Sequence, residues 1–366
     1  MRTNHEIKTR HALLDEKGRL IEPGYTKGLM MDYDKTKHKG GKLRLKEWDY
    51  YLITCDDFAV ALTVADNAYM GLDSYSLLDF RTGFQHTAGP MSIMPMGKLN
   101  MPETSETGNV YSSDKNHFME FIHNGDHRIL KFEMKNFLDG KTFSGEIRLD
   151  CPEMESMVVV TPWKEKDTAF YYNQKINCMP ATGTVKLGDE EYTFPEGKSF
   201  GTLDWGRGVW TYENTWYWGS ASGQIDGVPF GFNIGYGFGD TTAASENMLF
   251  YNNKAHKLSE VTFNIPMISK TFKTRGGCCG PSGDEVCTAD LTEDYMSPWT
   301  FTSDDGRFEM DFEPIMDRAS CTDFKVLVSD QHQVFGKFTG KAILDDGTVI
   351  EIKDFLGFAE KVHNKW

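Results

Sequence analysis

The sequence predicts an all-β protein with little helix, folded as antiparallel hairpins in two similar halves. Three observations carry this. Short alternating runs rich in β-branched and aromatic residues recur, Gly and Asx-Gly pairs punctuate them (35 of the 366 residues are Gly), and strongly periodic amphipathic stretches are missing. A chain of this length exceeds what one core usually serves, so two domains or one large β-architecture are expected.

Taken in order, "WDYYLITCDDFAVALTVAD" (48–66), "RILKFEMKNF" (128–137), "TFSGEIRLD" (142–150) and "SMVVVTPW" (156–163) read as strands. The turns are "HNGDH" (123–127), "LDG" (138–140), "IDG" (225–227), "SDDG" (303–306) and "LDDG" (344–347), where Asn-Gly or Asp-Gly supplies the positive φ of a tight hairpin. "GKTFSGEIRLD" (140–150) is echoed by "GKFTGKAILDDG" (336–347), which predicts two related halves. "LGDEEYTFPEGKSFG" (187–201), with its Pro and Gly, is the expected join, giving domains 1–195 and 196–366.

Composition sets outer bounds on function. Hydrophobic residues at 39% and aromatics at 13% describe a globular chain. A formal charge of −15 argues against nucleic acid as a partner, because phosphate affinity needs clustered Lys and Arg. The first twenty residues hold no signal-peptide apolar run, and no segment approaches a membrane span, so a cytoplasmic protein is expected. Seven cysteines, an odd number without framework spacing, suit a reducing compartment. "GGCCGPSGDEVC" (276–287) lacks a His or fourth Cys at zinc spacing and reads as a Gly-rich loop, so no metal is expected.

The densest stretch is "LDWGRGVWTYENTWYWGSASG" (203–223). The two glycines flanking Arg207 predict a bend, and Trp216 and Trp218, two residues apart on a strand, share one face as an indole wall. "SASG" then narrows the strand, for another backbone or for a ligand. Three readings of Asp204 stand open. It pairs with Arg207 or caps a turn while Trp205, Trp210 and the other indoles fill a core. It is a desolvated acid delivering a proton while ring faces stabilise developing positive charge. Or the aromatics simply stack on an apolar or sugar-like ligand. Glu213 offers a second carboxylate, and an acid pair about 5 to 9 Å apart would permit glycoside hydrolysis.

Other candidates are thinner. "FRTGFQHTAGP" (80–90) puts His86 in a loop or strand end. "SENMLFYN" (245–252) sets Glu246 and Asn247 before an apolar strand, within reach of a pocket mouth. "GYGFGD" (235–240) reads as a strand and tight turn, and no nucleophile elbow, zincin helix or Walker loop occurs.

"FYYNQKINCMPATGTV" (170–185), the 203–223 stretch, "WTFTSDDGRFEMDFEPIMDR" (299–318) and the ending "GKFTGKAILDDGTVIEIKDFLGFAEKVHNKW" (336–366) resemble the family called domain of unknown function 2804. At longer range, the Asp-containing Trp-Gly segment followed by "WYWGSASGQIDG" resembles the carotenoid hydratase and tocopherol cyclase-like group. That resemblance implies two tandem lipocalin-like β-barrels and acid-catalysed hydration or cyclisation of an unsaturated hydrophobic compound, with Asp204 as the acid. The expectation is therefore such an enzyme, with Asp204 and Glu213 as catalytic carboxylates and Trp205, Arg207, Trp210, Trp216, Trp218, Glu246, Asn247 and His86 at the ligand. The proton-transfer reading requires no cofactor. A carrier of a hydrophobic metabolite and a glycoside-acting enzyme are the alternatives, and Trp366 is expected to plug the second barrel.

Overall fold

A computed structural model describes residues 3–272, 288–323 and 328–365. The Cys278, Cys279 and Cys287 stretch and Trp366 lie outside these residues. Among the described residues the secondary structure is strand and turn, with one 3-10 turn at Lys35–Lys37. The expected all-β architecture of strongly curved antiparallel sheets is the one adopted. Branched and aromatic residues alternate with polar ones along most strands, so each strand buries one side against a core.

The first sheet runs in the order Phe84–Ala88, Met70–Asp79, Phe58–Asp66, Leu45–Thr54, Phe200–Val209, Lys166–Leu187, Lys141–Asp150, His127–Leu138, His117–His123 and Val110–Ser113, with shorter strands beside it. The second runs Lys254–Lys257, Met248–Tyr251, Val228–Tyr236, Glu213–Ile225, Val349–Lys365, Val328–Ile343, Phe308–Asp323, Trp299–Ser303 and Val261–Asn264. The chain changes sheet between Val209 and Glu213. The 187–201 stretch is not a linker: Glu190–Phe194 folds back in register on 183–187, an edge hairpin turning at Gly188 (φ 61°).

The long strand Lys166–Leu187 organises the first sheet. Its outer half pairs with Met157–Trp163 and Phe200–Val209, and after a bulge between Ile176 and Met179 its inner half pairs with Lys141–Asp150. Cys178 at the bulge has φ 63°, so the strand bends sharply there. The bend drives Asn177 into the second sheet, where its amide donates to Ser220 Oγ (2.8 Å) and to the Ala221 and Phe232 carbonyls, while Ser222 Oγ accepts from the Cys178 N–H (3.0 Å). The small residues of "SASG" therefore serve close approach of another backbone.

Each sheet encloses its own core. Tyr51, Leu203, Trp205, Val209, Tyr172 and Phe143 belong to the first, and Phe232, Phe301, Phe312, Phe338 and Trp299 to the second. Two smaller apolar clusters draw on both sheets. One joins Met157, Val159, Trp163 and Tyr171 to Phe238, Met248 and Phe250; the other joins Leu52, Ala61 and Leu78 to Trp218, Phe335 and Phe358. The candidate site lies along this seam.

Candidate functional site

Strand alternation sorts the central motif into two faces. Leu203, Trp205, Arg207 and Val209 point into the first core; Asp204, Gly206 and Gly208 point to the seam between the sheets. Gly206 and Gly208 do not bend the chain, which stays extended and paired from 200 to 209 on both sides. They clear space instead: a Cβ at Gly206 would lie 1.9 Å from the Trp48 indole, and one at Gly208 2.4 Å from the Phe170 carbonyl oxygen. Trp48 can thus lie over the strand.

Arg207 is fully buried on the opposite face from Asp204. Its guanidinium donates to Asp49 Oδ1 (3.0 Å), to the Trp48 carbonyl (2.8 Å) and to the Pro102 carbonyl (2.8 Å), and it lies over the Trp205 ring at 4.3 Å. Neither Trp205 nor Arg207 lines the seam, so their part is structural. The partner of Asp204 is Lys175, its direct cross-strand neighbour, with Nζ 2.8 Å from Oδ2. Asn173 Nδ2 donates to Asp204 Oδ1 at 2.6 Å, so both carboxylate oxygens accept.

Lys175 and Asp204 open onto a cavity of about 780 Å³ between the two sheets, a size typical of small-molecule sites. Trp48, Tyr171, Trp210, Trp216, Trp218 and Phe238 wall one end. Phe238, carried by the "GYGFGD" turn (φ 95° at Gly237 and 74° at Gly239), meets Tyr171, Trp210 and Trp216 edge-on at 4.8 to 5.3 Å. Trp216 and Trp218 do share one face. Trp218 donates Nε1–H to Asn233 Oδ1 (2.6 Å) and its ring carries the Lys175 ammonium at 3.8 Å.

Two further carboxyls reach this end, Glu246 and Glu360, both nearly solvent-free. Burial pushes each up to about 7; Lys175 opposes the rise for both, and Asp204 adds to it. Their hydrogen bonding differs. Glu360 accepts from Trp216 Nε1 (3.1 Å) and Gln333 Nε2 (3.0 Å), whereas Glu246 Oε1 is buried with no hydrogen-bond partner. Burial also raises Tyr50, to about 12, and holds Tyr171 well above its ordinary value, so both phenols keep their protons.

The remaining predicted residues separate. His86 lines the cavity but donates Nε2–H to the Phe137 carbonyl (2.8 Å) and packs edge-on against that ring. Asn247 is committed to the backbone, accepting from the Gly235 N–H and donating to the Ser259 carbonyl, both at 2.7 Å. Glu213 is half-exposed at a strand end, 3.3 Å from Lys365 Nζ and 3.6 Å from His363, and does not line the cavity. The carboxyls lining the cavity are Asp204, Glu246 and Glu360 together with Asp73 of the first sheet, which accepts from Ser112 Oγ at 2.6 Å. Substituting Glu213→Gln is expected to leave stability within about 0.5 kcal/mol in thermal unfolding, as for other exposed pairs.

Sequence reasoning missed Lys175, Glu360, Gln333 and Arg318. Lys175 did leave a signal, a lone cation inside the buried run "FYYNQKINCM", where an unpaired ammonium would be costly. Among the described residues no group of three or more His, Cys, Asp and Glu is placed to hold a metal ion, and no helix is long and apolar enough to cross a membrane.

Fold and site together define a β-protein of two large curved sheets with an aromatic cavity at the seam. The chain belongs to the family described as domain of unknown function (DUF2804), whose pattern spans residues 4–366. No curated protein matches the sequence. Among solved structures, kievitone hydratase from Nectria haematococca is similar at 12% identity, over 87% of this chain and 88% of that one, with a TM-score of 0.49. A Nitrosomonas europaea protein described as a candidate AttH is similar at 11% identity, over 87% and 92%, with a TM-score of 0.49.

Proposed function

We propose that the chain is an enzyme performing acid-catalysed addition of water to, or cyclisation of, an unsaturated hydrophobic small molecule in the seam cavity. The observation that carries this is Glu246: a buried carboxyl, protonated to near neutral pH, with an oxygen lacking any partner, inside a box of ring faces. Glu246 gives its proton to one carbon of a C=C bond. The cation formed at the other carbon lies among the indole faces, with the Asp204 carboxylate nearby. Water adds there and returns a proton to Glu246, or a group of the same molecule closes the ring and does so.

Asp204, expected from the sequence to be the acid, receives a different role. Its two oxygens accept from Lys175 and Asn173, it is the ion-pair partner of Lys175, and its proximity raises Glu246. Glu360, satisfied by two N–H donors, is a second proton reservoir. A cytoplasmic setting fits the free thiols of Cys55, Cys151, Cys178 and Cys321.

The test is mass spectrometry of a metabolite extract incubated in oxygen-labelled water with wild type or Glu246→Gln. A labelled product formed by wild type alone supports hydration, and an unlabelled isomer supports cyclisation. A compound bound unchanged by both proteins replaces this reading with that of a carrier.

A further inference from the structure

The cavity changes chemistry along its length. Beyond the aromatic box its lining is mixed, with Thr87, Gln331 and Arg318 beside Met70, Leu72 and Asp73. Arg318 is half-buried there and bridges the sheets, donating NH1–H to Gln333 Oε1 (2.9 Å) and Nε–H to Thr87 Oγ1 (3.3 Å). Both acceptors are neutral, and no carboxylate of the described residues lies within ion-pair distance. A guanidinium has five N–H donors in a planar fork suited to an anionic oxygen. Donors therefore remain for a ligand.

The amide of Gln333 fixes where such a ligand would sit. Its Oε1 is taken by Arg318, so its Nε2 faces Glu360 Oε2 (3.0 Å) and Tyr50 OH (3.4 Å). One amide thus separates the cation from the acidic, aromatic end. We propose that Arg318 is a recognition site for an anionic oxygen group, a carboxylate, sulfonate or phenolate, on an aromatic or unsaturated ligand whose apolar body fills the aromatic box. This rests on the reading of the seam cavity as the ligand site. The chain carries a net charge of −15, so the protein as a whole repels anions and any preference for one must be local.

The test compares two fluorescent probes sharing one apolar frame: anilinonaphthalene sulfonate and uncharged phenylnaphthylamine. Wild type, Arg318→Met and Arg318→Lys are titrated at physiological ionic strength, with mutual competition showing that both probes use one site. Wild type is expected to bind the sulfonate at least about tenfold more tightly than the neutral probe, the scale of one charge-assisted contact. Arg318→Met should reduce that ratio to about one while leaving the neutral probe unchanged, and Arg318→Lys should keep part of the preference. Equal wild-type affinities, a preference surviving in Arg318→Met, or an equal loss for both probes overturns the assignment. The readout is binding alone, so failure to find a turnover leaves it standing, and loss of the anion preference leaves acid catalysis standing.

Discussion

Replacing Glu246 by Gln is expected to lower turnover by at least about a hundredfold, the low end for removal of a general acid, and to remove the alkaline fall in the pH profile. Only the protonated carboxyl can deliver a proton, so wild-type activity should decline as pH rises through about 7. A second, independent signature lies in stability. The folded-state value is raised above the ordinary carboxylate value, so the folded protein holds a proton that the unfolded chain releases. The associated stability is complete below the unfolded value and is lost as pH rises through about 7, a change on the order of 3 kcal/mol for one fully buried group. Lys46, pushed down to about 7 by burial, changes stability with the opposite sign over a higher window, since its folded form gives up a proton that the unfolded chain keeps. The wild-type-minus-Glu246→Gln difference isolates the glutamate because Lys46 is common to both. Glu246→Gln should therefore gain stability relative to wild type as pH rises from about 4.5 to about 7, with the difference level above that. An unchanged pH profile, or a difference that does not vary with pH, would remove Glu246 from the role of acid.

The all-β class and its hairpin turns were legible because both depend on local chemistry. Asx-Gly turns and period-two alternation determine hairpins before any long-range contact forms. The shared face of Trp216 and Trp218 follows from the same periodicity, whereas the bend expected at Arg207 hid the opposition of Asp204 to Arg207 that an extended strand imposes. The Asp204–Lys175 pair was not legible. It is set by register between strands about thirty positions apart in sequence, and one step of register would turn Lys175 toward the first core. Gly206 and Gly208 misled for a related reason: glycine signals either a turn or a close approach, and only the cross-strand Trp48 decides between them. Glu213 was attractive through its nearness to Asp204 in sequence, yet the sheet change after Val209 sends it to a strand end. Two of the cavity's other carboxyls arrive from 246 and 360, on a loop and a strand of the second sheet, and Asp73 comes from Met70–Asp79 of the first.

Lys175→Met should destabilise the protein by about 3 to 5 kcal/mol, because it leaves the buried Asp204 carboxylate with only the Asn173 amide. Asp204→Asn leaves Lys175 buried, with the Trp218 ring face recovering about 1 to 2 kcal/mol of the loss. The double variant removes both charges and should lie nearer wild type than the sum of the single effects, read by denaturant unfolding as a double-mutant cycle. Additive single effects would mean that the pair is not coupled. The same two variants also separate electrostatics from damage. Lys175 lowers the proton affinity of Glu246 and Glu360, and Asp204 raises it. Losing the lysine should therefore move the alkaline limb of the pH profile above 7, and losing the aspartate should move it below. Loosened packing would shift both limbs in one direction, so opposite shifts tie the ion pair to the acid it tunes.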